Sequence, residues 1–196
     1  MGNDRQTGRH EHAGMSSKGD FDDRSMLLNA GLSTGQTLID CGCGDGHISL
    51  AASEMVGENG KVYALDVHGP SIDTLRSSIE QKRLTNIYAD VVDITKGLPF
   101  PDSCADIVIM SNVLHGLVHN GEDGEVLNEL ARVLHPEGKF VLIEFRKEET
   151  GFGPPLDIRL SLEDINALLT GLGLEKSSNM DISPSHYMAV FIKDVE

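Results

Sequence analysis

The run Asp40-Cys41-Gly42-Cys43-Gly44-Asp45-Gly46-His47 combines carboxylates with glycines at alternating positions, the residue types of a ligand cradle. Alternating glycines let the main chain approach a ligand closely, and a helix opening behind them offers unpaired N–H groups. The apolar residues Thr37-Leu38-Ile39 before the run read as a strand, and the amphipathic stretch after it reads as a helix. A second apolar run, Lys61-Val62-Tyr63-Ala64-Leu65, ends in Asp66. Folds that bind nucleotides place an acid there for ribose hydroxyls. Together the two signals predict a nucleotide-like ligand.

The glycine pattern is Gly-x-Gly-x-Gly, without the longer final spacing of dinucleotide enzymes. Asp40, two residues before the first glycine, would repel a pyrophosphate but attract the ammonium end of S-adenosylmethionine, directly or through water. Asp93 follows a third expected strand (86–91), placed to accept a hydrogen bond from an adenine amino group. At these residues the chain resembles the class I S-adenosylmethionine-dependent methyltransferases.

The resemblance runs from about Phe21 to the C-terminus. Leu98-Pro99-Phe100-Pro101-Asp102 with Ala105-Asp106-Ile107-Val108-Ile109-Met110 is similar to the family's lead into its fourth strand. Leu130-Ala131-Arg132-Val133-Leu134-His135-Pro136-Glu137-Gly138-Lys139 is similar to the turn before the fifth, with Glu137 where many relatives carry glycine. Gly153-Pro154-Pro155, Arg159-Leu160-Ser161 and the late His186-Tyr187 resemble a small-molecule branch related to the ubiquinone and menaquinone methyltransferases. The resemblance implies a single doubly wound, Rossmann-like α/β domain. Its mostly parallel seven-stranded sheet has the order 3-2-1-4-5-7-6 and an antiparallel C-terminal strand. It also implies a division of contacts to S-adenosylmethionine and its product, S-adenosylhomocysteine. Asp40, Gly42, Gly44 and Gly46 shape the methionine pocket, with Cys43 and His47 in the same turn. Asp66, beside Val67, takes the ribose hydroxyls, and Asp93 with the backbone of Ile94 takes adenine. Ser111, Asn112 and Val113 touch the methionine part.

A chain of 196 residues is long enough for one well-packed domain, which must then bind both cofactor and acceptor. The 31 acidic and 16 basic residues give a formal net charge of −15, which opposes a phosphate backbone over most of the surface. Lys and Arg form no run, so the expected acceptor is a small molecule and not a nucleic acid. Cys41 and Cys43 lie inside the glycine turn, so packed thiols are expected there in place of disulfides. No apolar stretch approaches the roughly twenty residues of a membrane span, and a cytoplasmic, reducing compartment fits. Oligomeric state is not written in the sequence.

Residues 1–20 are polar and carry few large apolar side chains, which reads as a tail or lid ahead of a domain over 21–196. A short helix is expected from Asp22 or Asp23 to Gly31. Strands are expected over 37–41, 61–66, 86–91, 105–111 and 138–146. Helical spacing covers Asp45–Val56, Ser71–Arg83 and Glu122–Leu134, with Ile72-Leu75-Ile79 and Val126-Leu127-Leu130-Leu134 as core stripes. A loop over Glu148–Leu156 leads to a helix, Ser161–Leu169, and then to strands near Leu174–Met180 and Tyr187–Lys193 that form a hairpin.

Methyl transfer from a sulfonium is an in-line displacement that asks the protein mainly to orient two reactants and exclude water. Where the acceptor must lose a proton, a histidine suits neutral pH. His115 follows the fourth strand, on the rim where parallel sheets place ligands, and is the candidate catalytic residue; its alternative is packing against the cofactor. Arg146 and Arg159 bracket the Pro-Pro loop and could pair with an acidic acceptor or form surface salt bridges. His186 is a further acceptor-side candidate, with strand packing as its alternative. His10 and His12 could join His186 around a metal, but the spacing matches no recognised site, and no metal is expected.

Two rivals bound the reading. A short-chain nicotinamide oxidoreductase needs a Lys four residues after a Tyr, and Tyr63, Tyr88 and Tyr187 are followed at that distance by Val67, Val92 and Phe191. A cofactor-binding regulatory protein without transfer activity keeps the same pocket and stays open at this level, as does, less favoured, an RNA or protein methyltransferase.

Overall fold

The computed structural model describes residues 17–195. Five parallel strands come first: β1 (Thr37–Cys41), β2 (Lys61–Asp66), β3 (Ile87–Val91), β4 (Ala105–Ser111) and β5 (Leu134–Phe145). β6 (Leu174–Asp181) and β7 (His186–Lys193) form the expected hairpin, and β7 lies antiparallel between β5 and β6. The sheet order is β3-β2-β1-β4-β5-β7-β6, the order the resemblance implies.

Successive strand side chains point to opposite faces, so apolar strands feed two cores. On one face Leu38, Val62, Ile107, Ile109 and Val141 pack with Met26, Leu27, Ile48, Ala52, Ile72 and Leu75, all fully or almost fully buried. These last six come from α1 (Asp23–Asn29), α2 (His47–Val56) and α3 (Gly69–Lys82). On the other, Ile39, Val108, Met110, Phe140 and Leu142 meet Leu114, Val126, Leu127, Leu130 and Ile165. Those come from α4 (Leu114–Asn120), α5 (Asp123–Val133) and α6 (Leu162–Leu169). Each buried Leu or Ile contributes about 1.5–3 kcal/mol relative to exposure, so the two cores carry the fold.

Helix ends follow local chemistry. The Asp22 carboxylate accepts the Ser25 N–H at 2.7 Å and caps α1, and Ser161 with Asp164 forms a reciprocal capping box on α6. Several elements differ from expectation. α2 starts at His47 instead of Asp45, because Gly46, at φ +77°, still belongs to the turn. α3 starts two residues early, with Pro70 in its first turn, where a missing N–H costs nothing. α4 was not expected as a separate helix. β5 begins at Leu134, not 138: Ala105 pairs with Leu134 and Ile107 with Lys139, so the supposed turn is an irregularity inside the strand, with Glu137 at φ +64°.

No helix among the described residues is long and apolar enough to cross a membrane. The expected tail lies outside the described residues except for its last four, 17–20, and His10 and His12 lie outside them too.

Candidate functional site

The C-terminal ends of the parallel strands open into one cleft of about 770 Å³. The glycine turn forms its floor. Gly42, Gly44 and Gly46 take φ of +82°, +55° and +77°, a left-handed alternation that side chains resist. The turn is tied to the end of β2: Gly42 N and Cys43 N donate to the Leu65 carbonyl at 2.7 and 3.0 Å, and Gly44 N donates to Asp66 Oδ2 at 2.8 Å. The other Asp66 oxygen accepts from His68 N at 2.7 Å, which fixes the carboxylate at the cleft wall.

Two of the glycines are needed for different reasons. A Cβ on Gly42 would run into the Val113 side chain, which shares the cleft wall. A Cβ on Gly46 would run into Leu75 of α3, and Gly46 does not line the cleft. Unlike the other expected cofactor contacts it stands behind the cleft lining, where it lets α2 and α3 pack closely. Asp40, Gly42, Cys43, Gly44, His47, Asp66, Val67, Asp93, Ile94, Ser111, Asn112 and Val113 all line the cleft.

Whether these residues suit a cofactor is decided by their polar atoms. Asp40 Oδ1, Asp45 Oδ1, Ser111 Oγ and Asn112 Oδ1 are buried without a hydrogen-bond partner among the described residues, and all four residues border the cleft. Each such atom costs about 1–3 kcal/mol unless something binds it, so their convergence fits a ligand rich in donors at this end. The other Asp40 oxygen accepts from Ser49 Oγ at 2.5 Å. Burial pushes the Asp40 carboxyl up to about 6 against the pull of Ser49, with Asp66 and Asp23 adding to the rise. A cation delivered beside it would restore its charge. Asp93 caps the short 3-10 turn Ile94–Lys96, its Oδ1 accepting from Thr95 N at 3.0 Å and Thr95 Oγ1 at 2.6 Å.

His47 opens α2 and holds the N-terminal segment over this end. Its Nδ1 meets the Asp23 carboxylate at 2.9 Å, its Nε2 meets Ser17 Oγ at 3.1 Å, and Phe21 lies against its ring. Burial by itself would lower its proton affinity. The bond to Asp23 and the charges of Asp23, Asp40 and Asp45 outweigh that and hold the imidazole above the ordinary histidine range. Burial raises the thiols of Cys41 and Cys43 far above neutrality, so they pack as inert groups, and both are free.

Beyond this end the cleft is lined by His115, Leu117, Phe145, Phe152, Pro154, Pro155 and Ile158 together with the polar His119, Asn120, Glu122 and Asp157. His115, 5% exposed, sits in the first turn of α4. Its Nδ1 is 2.7 Å from Glu144 Oε2, and its backbone N–H donates to Glu144 Oε1 at 3.1 Å. Sequence reasoning missed Glu144 in any functional role. Its signal was a lone carboxylate within the apolar run Phe140-Val141-Leu142-Ile143-Glu144-Phe145.

The three acceptor-side candidates from the sequence stand elsewhere. Arg146 is outside the cleft, paired with Glu148 at 2.8 Å and Asp181 at 3.1 Å. Arg159 is buried and turned into the loop behind the cleft. Its Nε donates to the Pro154 carbonyl, its Nη1 to the Arg146 and Glu148 carbonyls and Thr150 Oγ1, and its Nη2 to the Phe152 carbonyl, all within 2.6–3.0 Å. A guanidinium spent on these acceptors holds the loop and does not face an acceptor molecule. His186 is fully buried between Phe21 and Phe145, where it meets Asn112 Nδ2 at 3.1 Å and Ser185 Oγ at 2.9 Å.

A family description of a methyltransferase domain matches residues 32–187. The chain belongs to the class I S-adenosylmethionine-dependent methyltransferases. S-adenosylmethionine is therefore its cofactor. The chain is similar to the ubiquinone/menaquinone biosynthesis C-methyltransferase UbiE of Laribacter hongkongensis, at 30% identity over 67% of this chain and 52% of the relative. The same enzyme of Salmonella arizonae is 31% identical over 60% of this chain and 46% of the relative. This methyltransferase thus spans about half the length of the curated relatives it matches. Among solved structures it is similar to a SAM dependent methyltransferase from Aquifex aeolicus, with TM-score 0.81 and 28% identity over 88% of this chain and 90% of that one. The [4+2]-cyclase SpnF shares the fold, with TM-score 0.73 at 19% identity over 89% of this chain and 81% of that one.

Proposed function

We propose that the chain transfers a methyl group from S-adenosylmethionine to a small molecule held in the half of the cleft around His115. The observation that carries this is the division of one cleft into an end with four orphaned buried polar atoms and an end walled by Phe145, Phe152 and two prolines. When bound, the cofactor supplies an activated methyl on sulfur; orientation and exclusion of water fall to the chain. In this reading Asp40, Ser111 and Asn112 hold the methionine end. Asp66 holds the ribose hydroxyls, and Asp93 with Ile94 holds adenine. Cys43, Gly44, His47, Val67 and Val113 shape the walls between them.

Among the described residues, the side chains that line the cleft include no Lys or Arg. A phosphate backbone would gain no countercharge there, which favours a small acceptor over RNA. A histidine poised beside a buried carboxylate in the acceptor half favours transfer over binding alone. Calorimetry with S-adenosylhomocysteine, followed by incubation of the protein with methyl-labelled S-adenosylmethionine and a metabolite extract, tests the reading. Micromolar binding and label in a low-mass product are expected. Label only in RNA or protein, or no binding of the sulfur compounds, would overturn it.

A further inference from the structure

The Glu144 carboxylate spends both oxygens on a single residue. One accepts from the His115 main-chain N–H and the other meets Nδ1 of the same ring. A carboxylate only accepts, so Nδ1 is the donor of this contact, and in the neutral ring Nε2 keeps its lone pair. Nε2 makes no hydrogen bond among the described residues, while the ring lines the acceptor half of the cleft. A buried pair of this kind adds little stability over an apolar pair of similar volume, because both groups lose water. What it does provide is a fixed tautomer with an open basic nitrogen, the arrangement by which a carboxylate orients a histidine base.

The surroundings narrow what that base acts on. Asp20, Glu122 and Asp157 share the cleft with His115, and no Lys or Arg among the described residues lines it. Phe152 adds an aromatic ring, 53% exposed and edge-on to Phe145. Such walls repel carboxylates and phosphates and attract an ammonium group, which carboxylates and ring faces both favour. A carboxylate acceptor would in addition have no proton to give up.

We propose that His115, oriented by Glu144, is the general base of the transfer and that the acceptor is a small amine. This rests on the methyl-transfer reading above and names its substrate class. Nε2 of His115 takes one proton from the acceptor ammonium group and leaves a neutral amine. Its nitrogen lone pair then forms the new N–C bond as the methyl–sulfur bond breaks, with that pair remaining on sulfur. The product leaves as a methylammonium ion, and the proton held by His115 returns to solvent. Glu144 is a positioning residue, acting only through the ring.

The test uses the full chain and three acceptor panels of matched size: arylalkyl amines, phenols and arylalkyl carboxylates. With labelled S-adenosylmethionine, the amines are expected to carry label at least tenfold over the other panels. His115→Gln is expected to lower kcat for the best amine by about 100-fold or more, with its KM and the affinity for S-adenosylhomocysteine changed by less than about threefold. Glu144→Gln is expected to lower kcat and to change the nitrogen NMR signature of the His115 ring, which reports its tautomer without turnover. In the wild-type protein holding S-adenosylhomocysteine, addition of the amine is expected to shift the His115 ring resonances. Label preferring phenols or carboxylates, no label in any panel, or full kcat in His115→Gln would overturn this proposal alone. Failure of S-adenosylhomocysteine to bind the wild-type protein would overturn the methyl-transfer reading with it.

Discussion

His186 Nε2 lies 3.1 Å from the side-chain amide nitrogen of Asn112. Burial lowers the proton affinity of His186 below the ordinary histidine range, assisted by Arg159 and opposed by Asp20 and Glu144, so the ring is neutral. With Ser185 Oγ at its Nδ1, the ring accepts at Nε2 from Asn112 and thereby sets which end of that amide is free. The free end is Oδ1, one of the orphaned acceptors at the cleft. Asn112 also holds φ +56°, which asparagine tolerates better than most residues.

His186→Phe therefore keeps a ring between Phe21 and Phe145 but releases the amide. Affinity for S-adenosylhomocysteine is expected to fall by about 1 kcal/mol, the worth of one ordinary hydrogen bond. Calorimetry of the variant, with a thermal melt to confirm folding, checks this; unchanged affinity would mean the amide orients itself.

Asp40 links affinity to pH. Its raised carboxyl, at about 6, means that the ligand-free fold binds a proton more tightly than the unfolded chain, so ionised Asp40 costs stability above pH 6 and that cost fades toward pH 4. A ligand ammonium group favours the ionised form, so affinity for S-adenosylmethionine is expected to weaken as pH falls through about 6. Asp40→Asn should flatten that dependence and lower affinity at pH 7.5 by about 1.5–3 kcal/mol, with a melting temperature no lower than wild type. Titrations at pH 5.5 and 7.5 in the two proteins measure it.

The glycines of the turn separate binding from folding. Gly44→Val should abolish most cofactor binding, and a β-branched side chain at φ +55° also strains the backbone by about 1–2 kcal/mol, so binding is read well below the variant's melting temperature. Gly46→Ala should lose stability and keep binding. Its Cβ meets Leu75 and its φ is +77°, so a loss of about 1–3 kcal/mol of stability is expected. Denaturant melts and calorimetry on both variants decide the assignment.

The tie between Asp23 and His47 should weaken with alkali. The folded-state pKa of His47 is raised, so its stabilising contribution is complete below the ordinary histidine value near 6.5 and is lost as pH rises through the raised one. Asp23→Asn should remove that part of the pH dependence. Hydrogen exchange of the amides of residues 18–25, compared at pH 6 and 8 after correction for intrinsic rates, gives the readout; equal protection at both values would show that the pair does not hold the segment.

The sheet was legible because apolar strands and helical stripes alternate with clear periods, and the glycine turn because only glycine suits its repeated left-handed backbone. α4 was not, since Leu114 to Asn120 mixes two histidines and a glycine with too few apolar positions to show a period. The start of β5 was hidden by Pro136 and Glu137, which read as a turn and form an irregular strand. At the site, sequence placed Arg146, Arg159 and His186 near the right sheet edge but carried no information on which way each side chain turns. Glu144 was concealed for the complementary reason: its partner, His115, is brought to it only by the pairing of β4 with β5.

Arg159 anchors the 146–154 loop through four main-chain carbonyls and one hydroxyl. Main-chain carbonyls are present whatever the residue, so the anchor is largely indifferent to the loop's sequence. Side chains such as Phe152 can therefore be exchanged without dismantling the scaffold that presents them. The Phe152 side of the cleft is a replaceable panel on a fixed frame, and it can diverge while the glycine turn opposite stays as it is.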